Sequence, residues 1–129
     1  MKKVRANSIK SKLSNRPEYW EQVEFTLYLE QLKKKGVIKV FSAVPNNTWT
    51  TSWKQKTKQK AEGVRSGVPD MIIVTHTDVI FVEMKRKNGG IVSESQKEWI
   101  EALELTGKVK VKVAHGCDEA KNFINNITK

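Results

Sequence analysis

The chain has little that could staple a fold covalently. Cys117 is the single cysteine among 129 residues, so no internal disulfide forms and a reducing, cytoplasmic setting is expected. No histidine stands in a recognisable arrangement with it, and Cys117 reads as a packing residue near a helix start rather than a nucleophile. The two histidines, His76 and His115, have no ligand spacing between them, and no zinc site is expected. No segment approaches the roughly 20 consecutive apolar residues needed to cross a bilayer. The basic N-terminus lacks the apolar stretch of a secretory signal. Gly89-Gly90 alone is too little for a phosphate-cradling loop, which argues against an NTPase. Internal repeats are absent, and nothing marks a second domain.

Acidic residues are also in short supply: 14 Asp and Glu face 24 Lys and Arg, for a net charge of +10 and a pI of about 9.8. An acidic polymer is the natural partner of such a chain, against the plainer alternative of a merely soluble basic protein. The charge is unevenly placed. Residues 1–16 carry six bases and no acid, and read as a flexible basic arm ahead of a single domain over 17–129. Residues 17–32 hold four acids and no base, whereas residues 33–65 hold nine bases and one acid, Glu62. In that second basic stretch Lys54, Lys56, Lys58 and Lys60 alternate just after Trp49 and Trp53. The lysines are expected to contact phosphate. The tryptophans are expected to tuck against the core, with base stacking as the alternative. Lys60 and Arg65 flank the approach to Asp70, where they either contact phosphate or are simply solvated.

Apolar spacing predicts a helix over 17–35, with Val23, Leu27, Leu32, Phe25 and Leu29 on its apolar faces and Gly36 as its stop. A strand is expected over 37–44, then a long connection over 45–67 that is functional or partly helical. Met71–Val74 and Val79–Val82 read as two strands around a tight turn. A helix over 93–106, an alternating strand from Val109 to Val113 and a helix from about 118 complete the chain. This order predicts an α/β fold, a mixed β-sheet flanked by helices.

The hairpin carries the chemistry. A turn centred between His76 and Thr77 sets Val74 opposite Val79, and the count continues until Asp70 lies opposite Glu83. Opposed residues share a face, with Cβ atoms about 4.5–5.5 Å apart. Lys85, two residues beyond Glu83, points to the same side. Close carboxylate oxygens suit Mg²⁺ or Mn²⁺. A lysine beside such an ion can orient or help deprotonate a water, the minimum equipment for metal-assisted phosphodiester hydrolysis. The bland alternative is a turn aspartate after a proline and two solvated strand residues.

Further residues extend the pattern: Glu18-Tyr19-Trp20-Glu21-Gln22, Pro45-Asn46-Asn47, Lys60, Gly63, Gly67-Val68-Pro69-Asp70, Glu83-Met84-Lys85, Ser93 with Gln96, Trp99, Gly107 and Asp118-Glu119-Ala120. In order and spacing these resemble the PD-(D/E)XK nuclease superfamily, and within it the virus-type replication-repair (VRR-NUC) branch, over roughly residues 17–127. The resemblance implies a restriction-endonuclease-like fold and a Mg²⁺- or Mn²⁺-dependent DNA endonuclease. Asp70, Glu83 and the Met84 carbonyl would then ligate the ion, and Lys85 would act on the attacking water. It also implies that the first helix donates an acid. Alignment on Gln22, Phe25 and Tyr28 makes this Glu18, with Glu21 and Glu24 as rivals. Ser93-Glu94-Ser95-Gln96 is a capping box by its spacing, whereas the resemblance puts Gln96 at the active site, and the two roles compete for one amide. Repair, replication or phage-type processing of DNA follows from the resemblance, with branched DNA or a four-way junction as candidate substrate and a homodimer as candidate assembly. The rival classes are a non-catalytic nucleic-acid-binding module and a structural subunit of a larger complex. Loss of the Asp/Glu/Lys set would favour the former, and that set is intact.

Overall fold

The computed structural model of the protein describes residues 16–45 and 52–129. Most of the expected basic arm, together with Asn46, Asn47 and Trp49, lies outside the described residues. The elements are α1 (Glu18–Lys34), β1 (Val40–Ala43), α2 (Trp53–Ala61), β2 (Met71–Val74), β3 (Val79–Lys85), α3 (Glu94–Leu105), β4 (Lys110–His115) and α4 (Cys117–Thr128). The strands form one sheet in the order β1-β2-β3-β4. β1 and β2 pair antiparallel, as do β2 and β3, while β3 and β4 pair parallel with α3 as their crossover. This is the mixed, helix-flanked sheet expected from the sequence.

Helix α1 begins on Pro17, whose carbonyl accepts from the Trp20 N–H at 3.0 Å. Acids Glu18 and Glu21 in its first turn and bases Lys33 and Lys34 in its last both suit the helix dipole. Gly36, at φ 76°, ends it: the Gly36 N–H donates to Lys33 O and the Val37 N–H to Leu32 O. That double closure is a Schellman turn, and it needs the left-handed conformation that glycine adopts cheaply. The same closure explains why β1 is shorter than the strand expected over 37–44. Residues 36–38 are used in leaving the helix, and Ile38 is buried in the core instead of pairing.

The buried stripe of α1 is Phe25, Leu29 and Leu32. Leu27, expected on an apolar face, is 57% exposed. The stripe packs with Met71 and Ile73 of β2, Ile80, Val82 and Met84 of β3, Ala114 of β4, and Cys117, Ala120 and Ile124 of α4. Each fully buried side chain of leucine or phenylalanine size contributes about 1.5–3 kcal/mol. Strand side chains alternate between faces. With Val82 and Met84 committed to this core, Phe81, Glu83 and Lys85 project to the opposite face, together with Ile72 and Asp70. The core thus fixes the face on which the acids stand.

The long connection is partly helical, as expected. Ser52 caps α2 by accepting from the Gln55 N–H, and no residue of α2 is buried. Trp53 is 82% exposed, which corrects the expectation that it tucks against the core. On a helix the alternating lysines do not form one row. Lys54 and Lys58 share one side, and Lys56 and Lys60 the other.

Candidate active site

The hairpin register runs as the sequence suggests, from Val74↔Val79 to Met71↔Val82, so Asp70 follows opposite Glu83. Three backbone groups hold the pair. The Asp70 N–H donates to Glu83 Oε2 at 3.2 Å, and the Met84 N–H donates to Asp70 Oδ2 at 2.7 Å. The Val44 N–H donates to the Asp70 carbonyl at 2.7 Å, tying the same point to the end of β1. Glu83 is 1% exposed and Lys85 8%. Lys85 Nζ stands 3.8 Å from Glu83 Oε1, and Gln96 Nε2 donates to that oxygen at 2.5 Å.

Burial sets the electrostatics. It raises the Glu83 carboxyl to about 8; the neighbouring Asp70 charge raises it further and Lys85 opposes. Burial also raises Asp70, against the Met84 N–H, a hydrogen bond with Glu83 and the Lys85 charge. One lysine therefore does not compensate two desolvated carboxylates.

The first-helix acids separate clearly. Glu18, half-buried, is raised by desolvation and by the charge of Asp70, and lowered by Lys85 and Arg86. It belongs to the electrostatic surroundings of the hairpin acids. Glu21 and Glu24 are bound to Arg16, whose Nε reaches Glu21 Oε2 at 2.7 Å and whose Nη2 reaches Glu24 Oε2 at 2.7 Å. Glu21 Oε1 also accepts from the Cys117 N–H at 3.2 Å, at the start of α4. Arg16, at the end of the expected arm, is thus anchored to α1.

Gln96 fills both of its expected positions. Its Oε1 accepts from the Ser93 N–H at 2.9 Å, closing the capping box, while its Nε2 reaches Glu83. The two functions use opposite ends of the amide and do not compete.

Three glycines shape this site: Gly67 and Gly90, read in the sequence only as parts of a motif and a loop, and Gly116, which nothing in the sequence singled out. Gly67 (φ 92°) runs against the start of α3, where a Cβ would meet the Ser95 carbonyl carbon and oxygen at 2.4 Å. This close approach carries Gln96 to Glu83. A Cβ on Gly90 would meet Lys85 Cβ at 2.8 Å, and the Gly116 N–H donates to the Lys85 carbonyl at 2.9 Å. Gln22, half-buried on α1, donates to Met71 Sδ at 3.5 Å.

The expected phosphate-contacting residues stand on α2 and beyond it. Lys54, Lys56, Lys58 and Lys60 are exposed. Arg65 donates from Nη1 to the carbonyls of Lys60 and Val64, each at 3.1 Å. It also lines an open hollow of about 460 Å³ with Ser66, Ser95, Glu98, Trp99 and Ala102, beside the contact between Gly67 and α3. Among the described residues no three His, Cys, Asp or Glu side chains converge as a ready metal-binding group. The hairpin offers two carboxylates, all-oxygen donors of the kind a hard divalent cation takes. Once deprotonated, the pair carries more negative charge than Lys85 offsets, which fits such an ion.

The model of the VRR-NUC domain family matches residues 7–118, most of the chain. The protein belongs to this nuclease-type family. A solved structure described as a VRR_NUC domain protein is similar at a TM-score of 0.53 and 27% identity, over 67% of this chain and 65% of that one. The match therefore spans just under two thirds of that structure's chain. No curated protein sequence matches. Among the described residues no helix is long and apolar enough to cross a membrane.

Proposed function

We propose that this protein is a Mg²⁺- or Mn²⁺-dependent DNA endonuclease. The observation that carries the reading is the pair of half-buried Asp70 and buried Glu83, whose charges repel and are offset within the chain by one lysine, 3.8 Å from Glu83. Asp70 and Glu83 would hold the ion. In an extended strand the N–H and C=O of one residue point the same way. The Met84 N–H reaches Asp70, so its carbonyl faces the same side and is a suitable third oxygen. When bound, the ion lowers the pKa of a water and offsets charge on the phosphate.

The chain's own groups divide the remaining work. Lys85, buried and fixed at its backbone by Gly116, orients the attacking water and stabilises charge developing on the phosphate. Gln96 holds the Glu83 carboxylate in one orientation. Glu18, within the field of Asp70 and Lys85, would act from outside the pair, completing the outer shell of the ion through water. Lys54, Lys56, Lys58, Lys60 and Arg65 take DNA phosphates, in keeping with the net charge of +10.

One acid pair cuts one strand. Paired cuts in branched DNA, such as a four-way junction, call for two sites, and a C2 homodimer supplies them most simply. The test is to incubate the protein with junction, flap, duplex and single-stranded DNA, with Mg²⁺, Mn²⁺ or EDTA, alongside light scattering with and without junction. Ion-dependent cleavage is expected, with junction preferred and a dimeric mass. Cleavage in EDTA at the same rate would remove the metal from the mechanism. A monomer that nicks linear duplex equally well would remove the junction and the dimer.

A further inference from the structure

The hairpin and its surroundings leave one prominent feature unused. Helix α2 buries none of its residues, and its first residue, Trp53, is 82% exposed. A helix polar on every side gains little from packing, so its stability does not come from the core. Lys54 and Lys58 stand four apart, as do Lys56 and Lys60, and like charges at that spacing repel. Among the described residues only Lys58 of the four lysines has an acidic partner, Glu62 at 3.8 Å. The helix thus carries a large aromatic surface in water and a dense positive charge that its own fold does not neutralise. A polyanion answers the charge. An unpaired base, a flat apolar face attached to a phosphate chain, answers the tryptophan.

We infer that Trp53 stacks on an unpaired DNA base while the lysines of α2 hold the flanking phosphates, so that α2 selects DNA with single-stranded character. The inference rests on the DNA-processing reading above for the identity of the polyanion. A paired base within a duplex hides its face between neighbours, whereas a fork or a single-stranded arm offers it freely. Lysine contacts favour duplex and fork alike, because both present phosphate. Selectivity between the two therefore comes from the ring and not from the charge. The chain reaches the site directly: α2 ends at Ala61, and Asp70 follows nine residues later.

The test is a binding titration of labelled forked DNA and of blunt duplex with the same number of phosphates. It is run in EDTA, with cleavage by the wild type measured in Mg²⁺ alongside. Trp53→Ala is expected to weaken fork binding by about tenfold, the scale of one lost base–aromatic stack. Blunt-duplex binding should move by less than about twofold. Trp53→Phe, which keeps a ring, should retain most of the fork affinity. Trp53 is exposed, so neither change threatens the fold. If wild type binds and cuts but Trp53→Ala binds both DNAs as before, the stacking proposal fails and the nuclease reading stands. An equal loss on both DNAs also overturns it. Wild type that binds neither DNA overturns both readings. A change of oligomeric state in Trp53→Ala by light scattering would make Trp53 a subunit contact and overturn the stacking. Fork-selective loss in a protein that never cuts would support the stacking and sink the nuclease reading alone.

Discussion

Two pairs of carboxylates lie beside the first turns of α1, and they are treated in opposite ways. Glu21 and Glu24 share Arg16, which bonds both at 2.7 Å, and Glu21 also accepts from the Cys117 N–H. Hydrogen bonds from Arg16 hold both of these carboxyls below the ordinary range. For Asp70 and Glu83 desolvation is the largest effect instead, and both are raised above that range, Glu83 also by the charge of Asp70. The first pair carries a permanent counter-ion supplied by the chain and joins three pieces of structure: the segment before α1, α1 itself and the start of α4. The second pair lacks a matching one. An acid cluster that the fold neutralises for itself is a structural joint. A cluster left short of positive charge is the one that the proposed function assigns to a cation that comes and goes. What separates a candidate site from a salt bridge here is the missing arginine, since both clusters contain two acids and a base.

That contrast breaks most visibly by substitution at Asp70. Asp70→Asn keeps the size and loses the charge, so cleavage is expected to fall about a thousandfold or more. Thermal stability should stay level or rise, because a desolvated charge is removed. Single-turnover kinetics with melting curves on the same preparation checks both halves. Cleavage near the wild-type rate would take Asp70 out of the site.

Gly67→Ala addresses the support of the site. The new Cβ would meet Ser95 backbone at 2.4 Å at a φ of 92°, and neither the turn that holds Gly67 nor the α3 backbone can yield cheaply. A destabilisation of about 2–4 kcal/mol is expected from strain and overpacking together. The surviving folded fraction should cut slowly, since α3 carries Gln96 away from Glu83. Denaturant melts and a rate measured per folded molecule separate the two effects. An unchanged rate per folded molecule would show that Gln96 does not position Glu83.

The two clusters also differ in how far the sequence revealed them. The apolar runs Met71–Val74 and Val79–Val82 flank a short polar turn, the position of that turn specifies one register, and Asp70, Glu83 and Lys85 follow from counting. Local signals likewise gave α1 through Gly36, and α3 through Ser93 and Gln96. Contacts between distant segments were not legible. Arg16 reads as one more base of an arm until α1 brings Glu21 and Glu24 to it. The resemblance favours Glu18 over its rivals Glu21 and Glu24, but spacing alone does not separate them; the rotation of α1 on the sheet leaves Glu18 in the field of Asp70 and the other two on Arg16. The double use of Gln96 depends on the distance from α3 to β3, which Gly67 sets. Trp53 was misread because an aromatic in a chain of this size usually packs, and nothing local says that α2 finds no core.

Arg16→Ala sharpens the comparison from the structural side. It should cost about 1–3 kcal/mol, limited by the solvent that reaches Arg16 and Glu24, and should leave the cleavage rate per folded molecule unchanged. A melt and a cleavage assay on this variant, set beside Asp70→Asn, give opposite losses if the division holds. A rate that falls with Arg16→Ala would mean that the Arg16 joint also positions Glu18.

The smallest effect is the most discriminating, because the two clusters should titrate the protein in opposite directions. Glu21 and Glu24 have lowered carboxyl values, so their contribution is present above the ordinary carboxylate range and is lost as pH falls through the lowered values. Glu83 is raised to about 8. From about pH 4.5 to 8 the folded state therefore retains a proton that the unfolded chain has released. In EDTA its contribution is full below that interval and declines as pH rises through it, so the melting temperature should fall by several degrees on the alkaline side. On the proposed reading a divalent cation would bind the deprotonated pair and compete with that proton, so millimolar Mn²⁺ should flatten or reverse the alkaline fall and leave the acid limb unchanged. Glu83→Gln should abolish the alkaline fall and its response to Mn²⁺, while Arg16→Ala should weaken only the acid limb. Melting temperatures in EDTA from about pH 2 to 9, and in Mn²⁺ over the same range, decide it. An alkaline limb that persists in Glu83→Gln would show that the hairpin pair is not the group left short of positive charge.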